Sequence, residues 1–425
     1  MVFQKTEALP KLFHFGLGVL AALGTYFFAH RFFDKRISFT AALMLYSLPW
    51  LSWLFRTAYI DLGSLFYALL FFWAFYLWFL KKEKPFFYLA ALLAGLLFSV
   101  KLWNIILLPI LLIFILYREG WRLKGVLIFL FLALLPVLPF YIEAFIYTRN
   151  PIYPVFSWWD PDHYQGAKNA LDWLFNIHPK TFLSTIHNDF FLQTFFLLFA
   201  VALFFFPSAF KKISLFFLMG ILFVVGWSYI PVHEYRYILP ALPPLVLISA
   251  FAFEFLKKQS RFLRYFLNFI FLILILFNFA FLFKQNKEYF PVAFGKESRH
   301  QFLARKVGGD IWTFYDVDGW FQKNLSKEDR VLVLAHNMFY IDFPYLDGWR
   351  LDRELAEVKF KDDFLKLLSK GGFTHIIFKS QVYNWNSFFD LTALKVSPDD
   401  SWLKEHFRSV YSNDFTGAAL FEIIY

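Results

Sequence analysis

Three ionisable residues stand where chemistry at a membrane surface would need them: Asp61, Lys101 and Arg236. Asp61 lies in the stretch RTAYIDL (56–62), between two apolar runs of about 19 residues each, the length that spans a bilayer. An ionisable group at such a position is a functional-site hypothesis by default, because burying it in lipid is expensive. Lys101 interrupts the apolar run LLFSVKLWN, and Arg236 sits in HEYRYILPALPP. One carboxylate and two cations suit a phosphate or pyrophosphate, held by arginine as a bidentate fork and by lysine as a point charge. The carboxylate could act as a general base, hold a divalent metal, or orient the cations. Plainer roles compete: a helix N-cap for Asp61, snorkelling for Lys101, and an ion pair with Glu234 or Glu143 for Arg236. Arg56, Tyr59, Asn104, Asn150, Tyr153, His233, Glu234 and Tyr237 are the neighbouring candidates for substrate contact.

The elements that must position these residues are membrane helices. Of 425 residues, 59% are apolar and 24% aromatic, a balance that excludes a soluble globular chain. Ten apolar segments are expected, at roughly 12–33, 37–54, 62–80, 86–100, 102–117, 123–147, 189–206, 213–231, 237–256 and 262–283. Basic residues gather in alternate loops: Arg31/Lys35/Arg36, Lys81/Lys82/Lys84, Arg118/Arg122/Lys124, Lys211/Lys212 and Lys257/Lys258/Arg261/Arg264. These loops are expected to face the cytoplasm. The Asp61 loop, Lys101, residues 148–188, residues 232–236 and everything after Phe283 then face out. The alternation stays in phase only if Lys101 marks a crossing. It also places the N-terminus outside, although Met1–Lys11 is no signal peptide. This reads as a chain lacking its first membrane helix. Residues 1–283 carry +11 and residues 284–425 carry −1, so the basic excess belongs to the membrane part and implies anionic headgroups and inner loops rather than nucleic acid. The absence of cysteine removes thiol and disulfide chemistry.

The outer loop 148–188 carries Trp158, Trp159 and Tyr164, suited to an interfacial aromatic belt or to stacking on a sugar. Asp160, Asp162, His163 and His187 could ligate a metal, but their spacing fits no specific motif. Residues 284–425 change character. Strands are expected at 330–334, 375–378 and 419–425, with an amphipathic helix at 362–370 ended by Gly371-Gly372. The fold class is therefore a polytopic α-helical membrane domain (1–283) followed by a small extracytoplasmic α/β domain (284–425). The second has no phosphate loop, nucleophile elbow or zinc motif, so it is expected to cover or support the membrane site.

Five stretches, in order, resemble the GT-C glycosyltransferases that use polyprenyl-phosphate sugars, the protein O-mannosyltransferase and aminoarabinose transferase superfamily. Residues 9–62 resemble its early helix pair and second acidic loop. YLAALLAGLLFSVKLWNIILLPILL (88–112) resembles its helix ending in lysine. TRNPIYPVF (148–156) resembles its T-G-N-P-x-Y-P loop, with Arg149 where glycine is usual. HEYRYILPALPPLVLISA (233–250) and residues 315–344 resemble its R-Y-x-L-P-x-L-P helix and the outer domain of bacterial members. The resemblance implies transfer of a sugar, with inversion, from a polyprenyl-phosphate donor to a lipid, glycan or protein acceptor at the outer face of the plasma (inner) membrane. It implies Asp61 as the second acidic position, Lys101 as the phosphate-side lysine and Arg236 as a cation near the donor phosphate. No cofactor is required with certainty, and a divalent metal stays open. The family's first acidic loop, usually the source of the base, has no counterpart here, so an upstream helix and loop are expected.

Two other classes remain open. A lipid or glycan transporter would place charges near the bilayer midplane and show internal repeats, and neither is visible. An outer-face oligosaccharide ligase or polymerase would use a long outer loop with Arg and His, as 148–188 could supply.

Overall fold

The computed structural model describes residues 8–55, 57, 59–151, 203–227, 235–309, 313–334, 337–338, 343–347, 351–379 and 400–425. The chain divides into two compact units, Met1–Gln285 and Asn286–Tyr425.

The first unit is helical: α1 (Ala8–His30), α2 (Lys35–Tyr46), α3 (Pro49–Leu54), α4 (Asp61–Lys81), α5 (Lys84–Val100), α6 (Leu107–Arg118), α7 (Leu123–Thr148), α8 (Pro207–Trp227), α9 (Leu242–Leu256) and α10 (Arg261–Asn286). Six stretches are long and apolar enough to cross a bilayer: Leu9–His30, Asp61–Lys81, Leu123–Thr148, Pro207–Trp227, Leu239–Leu256 and Arg261–Ala293. Two shorter apolar helices, Lys84–Val100 and Trp103–Arg118, lie on either side of Lys101. The expected ten spans are thus not what the described residues display. The segment at 189–206 falls almost wholly outside them. The expected segment 37–54 is two helices, because Pro49 lacks the N–H that would continue α2 and instead starts α3. Lys101 has extended backbone and breaks the 86–117 run into two helices joined by a 3₁₀ turn, Leu102–Ile106.

Helix α4 is the axis of this unit. Leu62, Leu65, Phe71, Phe72 and Phe75 are all fully buried in its core. Helix α9 is buried on nearly every face. By contrast α10 exposes Phe262, Phe269, Phe277 and Phe279, as a helix solvated by lipid chains does. Helices α5 and α7 meet at Gly95, where any Cβ would overlap the carbonyl oxygen of Ala133.

The second unit holds a five-stranded sheet in the order β4-β2-β5-β7-β6, with β2 Val331–Leu334, β4 Tyr345–Asp347, β5 His375–Lys379, β6 Phe407–Asn413 and β7 Ala418–Ile423. Strands β4, β2 and β5 are parallel, and β7 and β6 continue antiparallel. A two-stranded pair, β1 (Thr313–Phe314) and β3 (Asn337–Met338), stands apart. Period-two alternation sorts the core. Leu332, Ile376 and Phe378 pack on Phe364 and Leu368 of helix α11 (Lys361–Lys370). Val331, Val333, Ile377 and Leu420 pack instead with Phe314 and Phe321. Helix α11 starts with Asp362 and Asp363, which suit its positive end, and stops at Gly371. Gly372 follows at φ 66°, where a side chain would be strained.

Candidate functional site

The site begins with how α4 starts. Asp61 is its first residue, yet Asp61 does not cap it: the N-cap position is Ile60, with no side-chain cap bond. The orphan N–H of Leu62 instead donates to His14 Nε2 at 3.0 Å, from the second turn of α1. The other imidazole nitrogen, Nδ1, lies 2.8 Å from the Thr57 carbonyl oxygen. An amide N–H can only donate and a carbonyl can only accept, so His14 is the neutral tautomer with its proton on Nδ1. His14 thereby ties both ends of the 57–62 turn to α1. With the helix end satisfied from outside, the Asp61 carboxylate is left for another partner.

That partner is Lys101, whose Nζ donates to Asp61 Oδ1. The Asp61 side chain is 1% exposed and that of Lys101 14%. A buried charge must be paired or pay a large desolvation penalty, and here each group is the other's compensation. The extended backbone at Lys101 allows it, since the side chain leaves the chain between two helices rather than from the flank of one. Asn104 braces the break. Its amide group donates to Ser64 Oγ at 3.1 Å and to the Leu97 carbonyl, an orphan acceptor of the last turn of α5, at 2.8 Å. Asn104 is buried and its amide hydrogens are spent on the protein, so it acts as a brace between α4 and α5.

Two aromatic rings complete the cluster. Lys101 Nζ sits 3.9 Å from the centroid of Tyr237. The Arg236 guanidinium carbon lies 5.5 Å from the same ring and 5.0 Å from that of Tyr59. Such contacts attract a cation to the negative face of the ring, by roughly 0.5–2 kcal/mol. Arg236 and Tyr237 lie in a 3₁₀ turn, Tyr235–Tyr237, and a second such turn, Leu239–Ala241, leads into α9. Pro240, Pro243 and Pro244 forbid a regular helix start until Leu242, which leaves both side chains on an irregular segment facing α4 and α5.

The structure thus gathers Asp61, Lys101, Arg236, Tyr59 and Tyr237, five residues from three separate stretches of sequence. Asn150 is buried elsewhere, at the end of α7, where its N–H donates to Thr148 Oγ1 at 3.2 Å. The preceding residue, Arg149, has φ 58° and ψ 11°, the left-handed conformation that favours glycine. The glycine of the resembling motif is therefore a backbone requirement that Arg149 meets at a cost of about 1 kcal/mol. Arg56, Tyr153, His233 and Glu234 lie outside the described residues, as do Trp158, Trp159, Asp160, Asp162, His163, Tyr164 and His187. Among the described residues no group of three or more His, Asp or Glu could hold a metal ion. His14 and Ser64 escaped the sequence reading. A lone histidine within an apolar span was the available signal.

No family model matches the chain, and no curated protein matches it. Its fold does have solved counterparts. ArnT from Cupriavidus metallidurans bound to undecaprenyl phosphate matches over 100% of this chain and 85% of that chain, with TM-score 0.54 and 14% identity. The apo state of that protein matches over 97% and 83%, at 0.54 and 15%. The Archaeoglobus fulgidus oligosaccharyltransferase in complex with Zn and sulfate matches over 93% of this chain and 59% of that chain, at 0.50 and 13%. At such identities the likeness is one of fold. The resemblance to GT-C glycosyltransferases read from sequence motifs therefore holds at the level of chain architecture.

Proposed function

We propose that this protein is an integral-membrane glycosyltransferase that moves a sugar from a polyprenyl-phosphate donor to an acceptor at the outer face of the plasma membrane. The observation that carries this reading is the convergence of Lys101 and Arg236 on the Tyr237 ring, beside the buried Asp61. The ArnT structure of the same fold is bound to undecaprenyl phosphate, which supports a lipid phosphate as the ligand class.

Lys101 and Arg236 hold the donor phosphate and stabilise the charge that grows on it as the sugar–phosphate bond breaks. They act in a largely dry site, where such donors are worth more than in water. Asp61 serves this step by fixing the lysine rather than by reaching the acceptor, because it is almost wholly enclosed. Tyr59 and Tyr237 keep the two cations close together before the anion arrives. Inversion requires the acceptor nucleophile to approach from the face opposite the phosphate, with a base in hydrogen-bond reach. The basic loops face the cytoplasm in this reading, and the α/β unit lies on the outer side of the membrane.

The test is binding of undecaprenyl phosphate by the purified full-length protein in detergent, since this needs no knowledge of sugar or acceptor. Arg236→Gln and Lys101→Gln combined with Asp61→Asn should each weaken it at least roughly tenfold, about 1.4 kcal/mol. Unchanged affinity in both folded variants would remove the assignment.

A further inference from the structure

The helical unit has a second concave site, at the ends of its helices remote from Asp61. Helices α2, α9 and α10 part there to leave a cleft of about 480 Å³. The 15 residues of α9 lie between it and the Tyr237 segment, on the order of 22 Å along the helix axis. Four cations line it: Arg36, Lys257, Lys258 and Arg264. Two are engaged. Lys257 Nζ donates to Glu254 Oε1 at 2.8 Å, and Lys258 Nζ lies 3.8 Å from Asp34 Oδ2. Glu254 is the one acidic residue of the lining, and it also accepts from Thr40 Oγ1 at 3.0 Å. Its charge is therefore spoken for by the protein. The guanidinium groups of Arg36 and Arg264 pair with no carboxylate among the described residues. They come from different helices, α2 and α10, and line the same cleft.

Beyond these charges the wall is mixed: Thr40 and Asn268 are polar, and the larger part is apolar. Phe39, Leu43 and Phe271 line it, and Phe39 is 63% exposed. Water-facing basic loops need neither a concave floor nor an exposed phenylalanine beside the arginines. A ligand with an anionic head and a hydrocarbon body matches both halves. A basic pocket between membrane helices is a known physical solution for holding a lipid headgroup. Forked guanidinium groups suit phosphate oxygens.

We infer that this cleft binds the phosphate of an anionic phospholipid, with Arg36 and Arg264 on the phosphate and the acyl chains along Phe39, Leu43 and Phe271. Glu254, fixed by Thr40 and Lys257, keeps α2 and α9 in register so that the cleft stays open. The site is distinct from the one proposed for the polyprenyl-phosphate donor, and it stands whether or not that reading does.

The experiment is native mass spectrometry of the full-length protein taken from vesicles with equal amounts of phosphatidylglycerol and phosphatidylcholine. The wild type should retain phosphatidylglycerol preferentially. Each arginine near the surface is worth roughly fivefold, so Arg36→Gln with Arg264→Gln should lower that preference on the order of thirtyfold. Arg36→Lys with Arg264→Lys should restore part of it, and undecaprenyl phosphate binding should be the same in all three. Equal retention of the two lipids by the wild type, or an unaltered preference in the glutamine variant, overturns the proposal. Displacement of the lipid by millimolar inorganic phosphate overturns it as well, since it would mark a site for free phosphate.

Discussion

Each end of the helical unit buries a carboxylate against a lysine, and the two pairs are built differently. Glu254 and Lys257 are three residues apart on one helix, at 7% and 18% exposure. Asp61 and Lys101 are 40 residues apart, on the first residue of one helix and the break between two others, at 1% and 14%. The first pair forms wherever α9 forms, because i and i+3 share a helix face. The second exists only once α4, α5 and α1 are packed, because His14 must take over the helix end before Asp61 is available. A local pair is a device of stability. A pair assembled by tertiary structure in a dry, aromatic-lined site places a fixed cation where a ligand can use it.

Breaking the assembled pair should have the largest effect. Lys101→Ala leaves a buried carboxylate without its partner, and should cost about 3–5 kcal/mol of stability. Asp61→Asn in the same chain should recover most of this while undecaprenyl phosphate binding stays lost. Thermal unfolding in detergent, together with the binding assay, separates the two effects. Equal melting points for Lys101→Ala and wild type would mean that the pair is not buried as described.

His14→Ala comes next. It strands the Leu62 N–H and the Thr57 carbonyl, and should cost roughly 1–3 kcal/mol. It should also speed hydrogen exchange at Leu62 far more than at Phe72, which lies in the middle of the same helix. His14→Gln, which can still accept a hydrogen bond, should fall between the two. If His14→Ala neither lowered stability nor changed exchange at Leu62, the helix end would have another acceptor.

Lys257→Ala sharpens the contrast from the other side. Glu254 keeps its bond from Thr40 and lies near the helix end, so the loss should stay within about 1 kcal/mol. A loss as large as that of Lys101→Ala would mean that the two pairs are equally buried and equally costly to break.

The smallest effect is expected in the second unit, where His375 Nδ1 lies 3.6 Å from Asp329 Oδ1. Burial holds the His375 imidazole below its ordinary pKa, against the pull of Asp329 and Glu422. The unfolded chain then binds this proton more readily, so His375 leaves stability intact above about pH 6.5 and removes some as pH falls toward the lower folded value. Burial pushes Asp329 up, but hydrogen bonds from Ser326, with His375 and Thr374, hold it below the ordinary carboxylate range. Its contribution therefore persists to lower pH and is lost only on further acidification. The opening equilibrium of the Val331–Leu334 amides in the whole protein, read as their hydrogen-exchange rate relative to the intrinsic rate at each pH, should rise between neutral and mildly acidic pH. His375→Gln should flatten that rise.

Much of this architecture is written in local pattern. Apolar runs bounded by basic clusters mark α1, α4, α7, α8 and α10, because only length and hydropathy are needed to make a spanning helix. The strand runs RVLVL and HIIF and the helix ended by Gly371-Gly372 are equally local, and they correspond to β2, β5 and α11. The break of 37–54 at Pro49 was legible in principle, since proline cannot continue a helix, but a continuous apolar run masks it. Asp61, Lys101 and Arg236 stood out as charges flanked by apolar sequence. Their neighbours did not. An N-cap was the natural expectation for an aspartate opening a helix, and only the packing of α1 against α4 shows that His14 does that work.

Residue order alone therefore decides that this chain enters a membrane, where its helices run, and which few charges the lipid makes costly. It decides this because hydropathy, helix periodicity and proline chemistry act within a turn or two of each residue. Which charges meet is decided at another range. Asp61 finds Lys101 across 40 residues, and Lys101 and Arg236 find one tyrosine ring, because packed helices bring distant stretches to one level. No local pattern encodes that, since the energy that holds each of these contacts depends on the burial that the whole bundle creates.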